Sequence, residues 1–196
     1  MTDRDLPRPL RLTTLLGPNT VDDLHAISLH MADRGIETSL VALDSADDDI
    51  ADALDRSGVD LLWACGLLTA GLVAAGAELD VVAAPVFAGE TAPVYRSVIV
   101  TRRGEAAPGR RLAINEFGSW SGYRALIHDA KARSDDRWHP DDMDEIIATG
   151  AHVHSAAAVV EGRADVAAID HSVWNWLAVT DPGAVASLSV VDRTVE

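Results

Sequence analysis

Short apolar runs alternate with longer stretches of mixed polarity from one end of the chain to the other. Residues 9–16 predict a first strand, and Gly17-Pro18-Asn19 predicts a turn. Thr20 then reads as the N-cap of a helix, with Asp23 at the capping-box position and Leu24, Ile27 and Met31 spaced for burial. Gly35 ends that helix, and residues 36–43 predict a second strand. Residues 44–56 predict an acidic, exposed helix whose aspartates at 47–49 suit a helix start. Residues 59–64 form a third apolar run, Cys65-Gly66 leads into a small-residue helix over 67–76, and 79–87 predicts a fourth strand. Continuous apolar strands separated by helices predict a mainly parallel sheet covered on both faces.

The pattern breaks at a loop over 88–93. A long strand, VYRSVIVT at 94–101, follows it, and the polar, Gly/Pro-containing stretch after that strand is the best boundary candidate. A second α/β unit then opens with RLAINEFGSWSGY at 111–123, in which Leu112, Ala113 and Ile114 predict a short buried strand. A polar loop carries Asn115, Ser119, Ser121 and Gly122, and a helix is expected from about 123 to 132. Next come an acidic segment over 134–145 with Pro140 suited to a first helical turn, and a short strand or turn over 150–155. A helix over 156–162, a strand over 164–169, a helix beginning within 170–177 and a last strand over 186–192 complete the reading. The expected organisation is lobe I over 1–93, a hinge-crossing strand at 94–103, lobe II over 104–184 and a returning strand toward lobe I at 185–196. Two α/β lobes suit capture of a ligand in a cleft with hinge closure. A single doubly wound sheet fits the same pattern.

Composition narrows the partners. The chain has 196 residues, 31 of them acidic and 16 basic, for a formal charge of −15. That balance argues against nucleic acid and anionic membrane surfaces, both of which need clustered positive charge. An anionic ligand would therefore have to be held by local dipoles and hydroxyls. Cys65 is the only cysteine, which excludes an intramolecular disulfide and a cysteine-based metal site. No run approaches ~18 apolar residues, so no membrane insertion is expected. The start of the chain has no apolar h-region or cleavage site. The expected location is cytoplasmic as the sequence stands, or periplasmic or extracellular where a leader has been removed.

The candidate chemistry centres on the serine loop. A helix N-terminus offers unpaired N–H groups and a positive dipole end, so it can hold an anion without lysine or arginine. Ser119 and Ser121 would add hydroxyl donors, and Gly122 would let a ligand approach the backbone. The alternative is that Ser121 merely caps a helix. His152 and His154 stand two apart, which on a strand points them to one face, but no third metal ligand is fixed and no metal or cofactor is expected. Asp170 ends an apolar run, where it can meet a ligand or cap the next helix. Cys65 lacks a readable base, so a small residue near the cleft is expected there and not a catalytic thiol.

The second half resembles the phosphate/phosphonate periplasmic-binding-protein-like family, the substrate-binding components of ABC importers. The matching residues are Tyr95 and Ser97 in VYRSVIV, LAINEFGSWSGY at 112–123, GAHVHSAAAVVEGRADVAAID at 150–170 and Trp174 in HSVWNWL. Trp63–Gly66 resembles the family's CG-containing strand end. The resemblance implies a type II periplasmic-binding-protein fold, two α/β lobes around a ligand cleft with a hinge. It implies a non-catalytic solute-binding protein for phosphate, phosphonate or a similar oxyanion-bearing metabolite, with an ABC permease as partner. By the same resemblance Ser119, Ser121 and Gly122 grip the oxyanion, and Tyr95, His152 and Asp170 take ligand-contacting positions. Trp120, in the middle of the loop, departs from the pattern and would narrow the pocket or stack on an organic ligand. Two other functions use related scaffolds: an enzyme of the menaquinone- or thiamine-precursor type, and a ligand sensor.

Overall fold

Three apolar triplets and quartets of the second half, LAI, VAAI and VIV, form the middle of one sheet because each residue in them finds a covered face. The computed structural model describes residues 8–16, 20–43, 50–87, 91–105, 109–133 and 140–194. The expected turn at 17–19, the aspartates at 47–49, and parts of the stretches expected at 88–93, 102–111 and 134–145 lie outside the described residues. The chain divides into two compact units, Met1–Asp80 and Val81–Glu196.

In the first unit, strands β1 (Leu10–Thr14), β2 (Thr38–Leu40) and β3 (Leu61–Trp63) make a parallel sheet of order β2-β1-β3. Helices α1 (Val21–Ala32), α2 (Ile50–Arg56) and α3 (Gly66–Ala74) connect and follow them. Leu12, Leu24, Ala53 and Leu72 supply its buried apolar side chains. Thr20 precedes α1 as expected but makes no side-chain cap; its hydroxyl lies 3.0 Å from that of Thr14. Ile27, expected to be buried, is exposed. Gly35 takes φ +74 after the helix, the left-handed conformation that suits glycine there.

The predicted fourth strand over 79–87 is absent. That stretch has no regular structure, and Val81 and Val82 are 78% and 76% exposed. An apolar run makes a strand only where a neighbour completes its hydrogen bonds, which composition does not report.

The second unit holds a five-stranded sheet of order β6-β5-β7-β4-β8. Its strands are β4 (Ser97–Arg102), β5 (Arg111–Ile114), β6 (Glu145–Ala148), β7 (Val166–Asp170) and β8 (Leu188–Arg193). Strands β5, β6 and β7 run parallel, β4 is antiparallel to β7, and β8 is antiparallel to β4. Helices α4 (Ala125–Arg133), α5 (His152–Val160), α6 (His171–Thr180) and α7 (Pro182–Ala186) complete the unit. The segments expected to cross between lobes, β4 and β8, are thus both members of this sheet, and the division between units falls ahead of the expected one.

Alternation along the strands divides the core in two. Val98, Val100, Ala113, Ala167 and Ile169 pack with α5 and α6, through Ala156, Val159, Val173 and Leu177. Ile99, Leu112, Ile114, Val166 and Ala168 pack on the other face with Leu126 of α4, Tyr123 and Met143. Strand β6 was not anticipated from the sequence. Helix α5 begins at His152, so the short strand or turn expected over 150–155 is replaced by a helix start after Gly150.

Candidate functional site

The parallel strands bring one set of residues to a common edge of the second unit. Strand β7 ends in Asp170, β5 is followed by Asn115, and β6 is followed by Thr149. Antiparallel β4 begins at the same edge with Ser97, which pairs with Asp170, and Thr194 follows the end of β8 there. Binding residues gather at such strand ends in α/β folds, because helix N-termini point at the same edge.

The serine loop runs from β5 into α4. Ser119 is extended (φ −69, ψ 127), and its Oγ accepts the Gly122 N–H at 3.1 Å, an N-cap. Residues Trp120–Arg124 form one wide turn of π geometry, in which the Arg124 N–H reaches the Ser119 carbonyl at 3.0 Å. The Ser121 carbonyl is held separately, by a 2.8 Å bond from the Ser97 hydroxyl. On the exposed side, Arg124 Nε donates to the Phe117 carbonyl at 2.7 Å.

Gly122 leaves no room for a side chain here. A Cβ there would lie 2.8 Å from Asn115 Cγ, 2.9 Å from Asn115 Oδ1 and 2.9 Å from Ser119 Oγ. Asn115 cannot yield freely, since its Oδ1 accepts the Ser155 hydroxyl at 3.2 Å, and Ser155 Oγ lies 2.7 Å from Thr149 Oγ1.

His152 joins the serine loop to β7. Its Nε2 lies 2.9 Å from Ser121 Oγ, and the Asp170 N–H approaches its Nδ1 at 3.3 Å. Burial pushes the imidazole pKa below its ordinary value; the Asp170 charge and the Ala168 carbonyl oppose that shift without reversing it. A neutral ring that accepts from the Asp170 amide at Nδ1 carries its proton on Nε2. With the ring proton on Nε2, His152 donates to Ser121 Oγ; with it on Nδ1, facing the Ala168 carbonyl, the Ser121 hydroxyl donates to Nε2.

Asp170 is the N-cap of α6. Its Oδ1 accepts the Ser172 N–H at 2.7 Å and the Ser172 hydroxyl at 2.6 Å, and its Oδ2 accepts the Tyr95 hydroxyl. Tyr95 reaches it because Ser97 and Asp170 pair across the sheet and Tyr95 lies two residues before Ser97.

The structure thus brings Tyr95, Ser119, Ser121, Gly122, His152 and Asp170 into one bonded neighbourhood. Trp120 adjoins it, 39% exposed, with its ring 6.2 Å from that of His128. His152 and His154 do not share a face: helical spacing turns them apart, and the exposed His154 Nδ1 lies 3.2 Å from the Thr149 carbonyl. Among the described residues no group of three or more His, Cys, Asp or Glu side chains could hold a metal ion. Cys65 belongs to the first unit, where it precedes α3 and its carbonyl accepts the Thr69 amide and hydroxyl, each at 3.0 Å. Ser155, Thr149 and Thr194 went unnoticed in the sequence, where isolated hydroxyl residues carry no signal of long-range partners.

The sequence matches the family described as ABC transporter, phosphonate, periplasmic substrate-binding protein over residues 35–196. No curated protein matches it. Among solved structures it is similar to a binding-protein component of an ABC phosphonate transporter from Pseudomonas aeruginosa, at 20% identity and TM-score 0.68. That likeness covers 96% of this chain and 66% of the other, so the chain spans just under two thirds of that protein's length. It is also similar to PhnD1 from Prochlorococcus marinus in complex with methylphosphonate, at 16% identity and TM-score 0.66, over 96% of this chain and 73% of that one. An ancestral arginine-binding protein bound to arginine matches at 17% identity and TM-score 0.61, over 96% and 80%. These likenesses show the type II periplasmic-binding-protein fold. The matched family consists of transporter binding components, not enzymes. By its match over residues 35–196, the chain belongs to the periplasmic substrate-binding family of ABC phosphonate transporters.

Proposed function

We propose that this chain captures a small oxyanion, phosphate, a phosphonate or a similar oxyanion-bearing metabolite, at the Ser119–Gly122 loop and delivers it to an ABC permease outside the cytoplasm. The observation that carries the reading is the gathering of the Ser119 and Ser121 hydroxyls at the start of the Trp120–Arg124 turn, with Ser121 Oγ held 2.9 Å from His152 Nε2. A group that only accepts hydrogen bonds, such as a phosphonate oxygen, matches hydroxyls placed at a helix start.

Ser119 contributes a second hydroxyl proton, since its Oγ lone pair is used by the Gly122 amide. The starts of the π turn and of α5 add dipole ends that favour negative charge, and α5 has no side-chain cap. Trp120, next to Ser121, offers an aromatic surface to the organic substituent of a phosphonate. Tyr95 and Asp170 act in this reading through His152, because the carboxylate is engaged by Tyr95 and Ser172. Closure of the two units on binding belongs to the same proposal. It would appear as a smaller radius of gyration with ligand in small-angle scattering.

Thermal unfolding against phosphate, methylphosphonate, sulfonates and small carboxylates tests the reading. A ligand at ~100 times its dissociation constant adds ~2.7 kcal/mol to the folded state. A melting shift confined to phosphorus oxyanions is expected; no shift with any of them overturns the proposal.

A further inference from the structure

We propose that Ser97 and Thr194 form a clasp that positions Ser121 for its ligand without touching the ligand. This inference rests on the reading of Ser121 as a ligand contact. The clasp is reciprocal: the Ser97 N–H donates to Thr194 Oγ1 at 2.9 Å, and the Thr194 N–H donates to the Ser97 carbonyl at 3.0 Å. The Ser97 hydroxyl is then spent on the Ser121 carbonyl at 2.8 Å, with Ser97 wholly buried and Thr194 3% exposed.

The register of the sheet makes this possible. Val100 pairs with Val190 but Ile99 pairs with Asp192, so the ladder shifts by one residue at Val191. Without the shift the residue beside Ser97 would be Arg193; with it, Thr194 takes that place. A bulge that re-aims a strand end in this way is a feature built into the edge of a sheet. The alternation of β4 sends Ser97 to the face occupied by Ile99 and α4, which is the face where the serine loop enters α4.

The peptide that carries the Ser121 side chain is therefore fixed at its carbonyl by β4, and β4 is fixed by the end of β8. Releasing the carbonyl lets the wide turn rotate, and Ser121 Oγ leaves its place against His152 Nε2. The end of β8 thus sets the aim of a hydroxyl in another segment.

The test compares Ser97→Ala, Thr194→Val and Thr194→Ser with the parent chain in two measurements. One is the nitrogen chemical shift and pH midpoint of the His152 ring by NMR. The other is methylphosphonate affinity by calorimetry. Ser97→Ala and Thr194→Val are expected to move the His152 Nε2 resonance and weaken methylphosphonate binding at least tenfold. Thr194→Ser, which keeps the hydroxyl, is expected to restore both. A melting point lowered in Ser97→Ala and Thr194→Val while the His152 ring and the affinity stay unchanged overturns the positioning role. If the parent chain binds no methylphosphonate, the ligand reading fails separately, and the His152 resonances still decide whether the clasp aims Ser121. Should Ser97→Ala not fold, Thr194→Val carries the same comparison.

Discussion

Gly122→Ala sets two principles against each other. In a helix interior alanine is favoured over glycine by about 1 kcal/mol, so propensity alone predicts a more stable protein. The packing predicts the reverse. The new Cβ would sit 2.8 Å from Asn115 Cγ and 2.9 Å from Ser119 Oγ, against an optimum of roughly 3.5–4.0 Å between carbons. Asn115 would have to retreat by about 0.7 Å, the difference between that optimum and the distance available. It is buried and holds Ser155, so the retreat weakens a hydrogen bond of about 1 kcal/mol. Displacing Ser119 endangers a cap of about 1 kcal/mol. With overpacking of about 1–3 kcal/mol added and the propensity gain subtracted, the net loss is about 2–4 kcal/mol. At about 2–4 °C per kcal/mol for a chain of this size, the melting temperature should fall by about 4–16 °C. Circular dichroism melts of the two proteins measure it. An unchanged or raised melting temperature would refute the claim that Gly122 is required by Asn115 and Ser119.

His152 gives a pH prediction with a definite sign. Its folded pKa is lowered by burial, so the unfolded chain takes up its proton first as pH falls below about 6.5. Stability from this group is complete above that pH and declines below it, by up to ~1.4 kcal/mol per pH unit until the folded pKa is reached. A plot of melting temperature against pH for the parent and for His152→Gln should diverge below about 6.5; parallel curves would argue against a neutral buried ring. Ser119→Ala should lower stability by about 1 kcal/mol through loss of the cap to Gly122, read by urea titration. Ile169→Ala, in the wholly buried strand β7, should cost about 2–5 kcal/mol by the same titration.

The triplet Leu112-Ala113-Ile114 and the run ending in Asp170 were legible because their apolar side chains and the polar residues that follow are local signals. Asp170 as a helix cap was one of two readings open from the sequence, and its bonds to Ser172 show that role directly. The stretch over 150–155 was misread because Ala, Ser and His carry no clear period, and only the chain's path after Gly150 makes them helical. Strand β6 hid behind its leading Glu145 and an acidic segment; it exists because β5 offers it a parallel partner. The reason for Gly122, the π turn and the Ser97–Thr194 clasp depend on residues far apart in sequence. No local pattern announces them.

Calorimetric titration of the parent chain and Ser121→Ala with methylphosphonate tests the central claim most directly. A hydrogen bond from a hydroxyl to a charged oxygen is worth about 1.5–3 kcal/mol, a factor of roughly 10–150 in affinity. The account predicts one saturable site in the parent chain and at least tenfold weaker binding in Ser121→Ala. Equal affinity in the two proteins, or a parent chain that binds neither methylphosphonate nor any other phosphorus oxyanion, would contradict it.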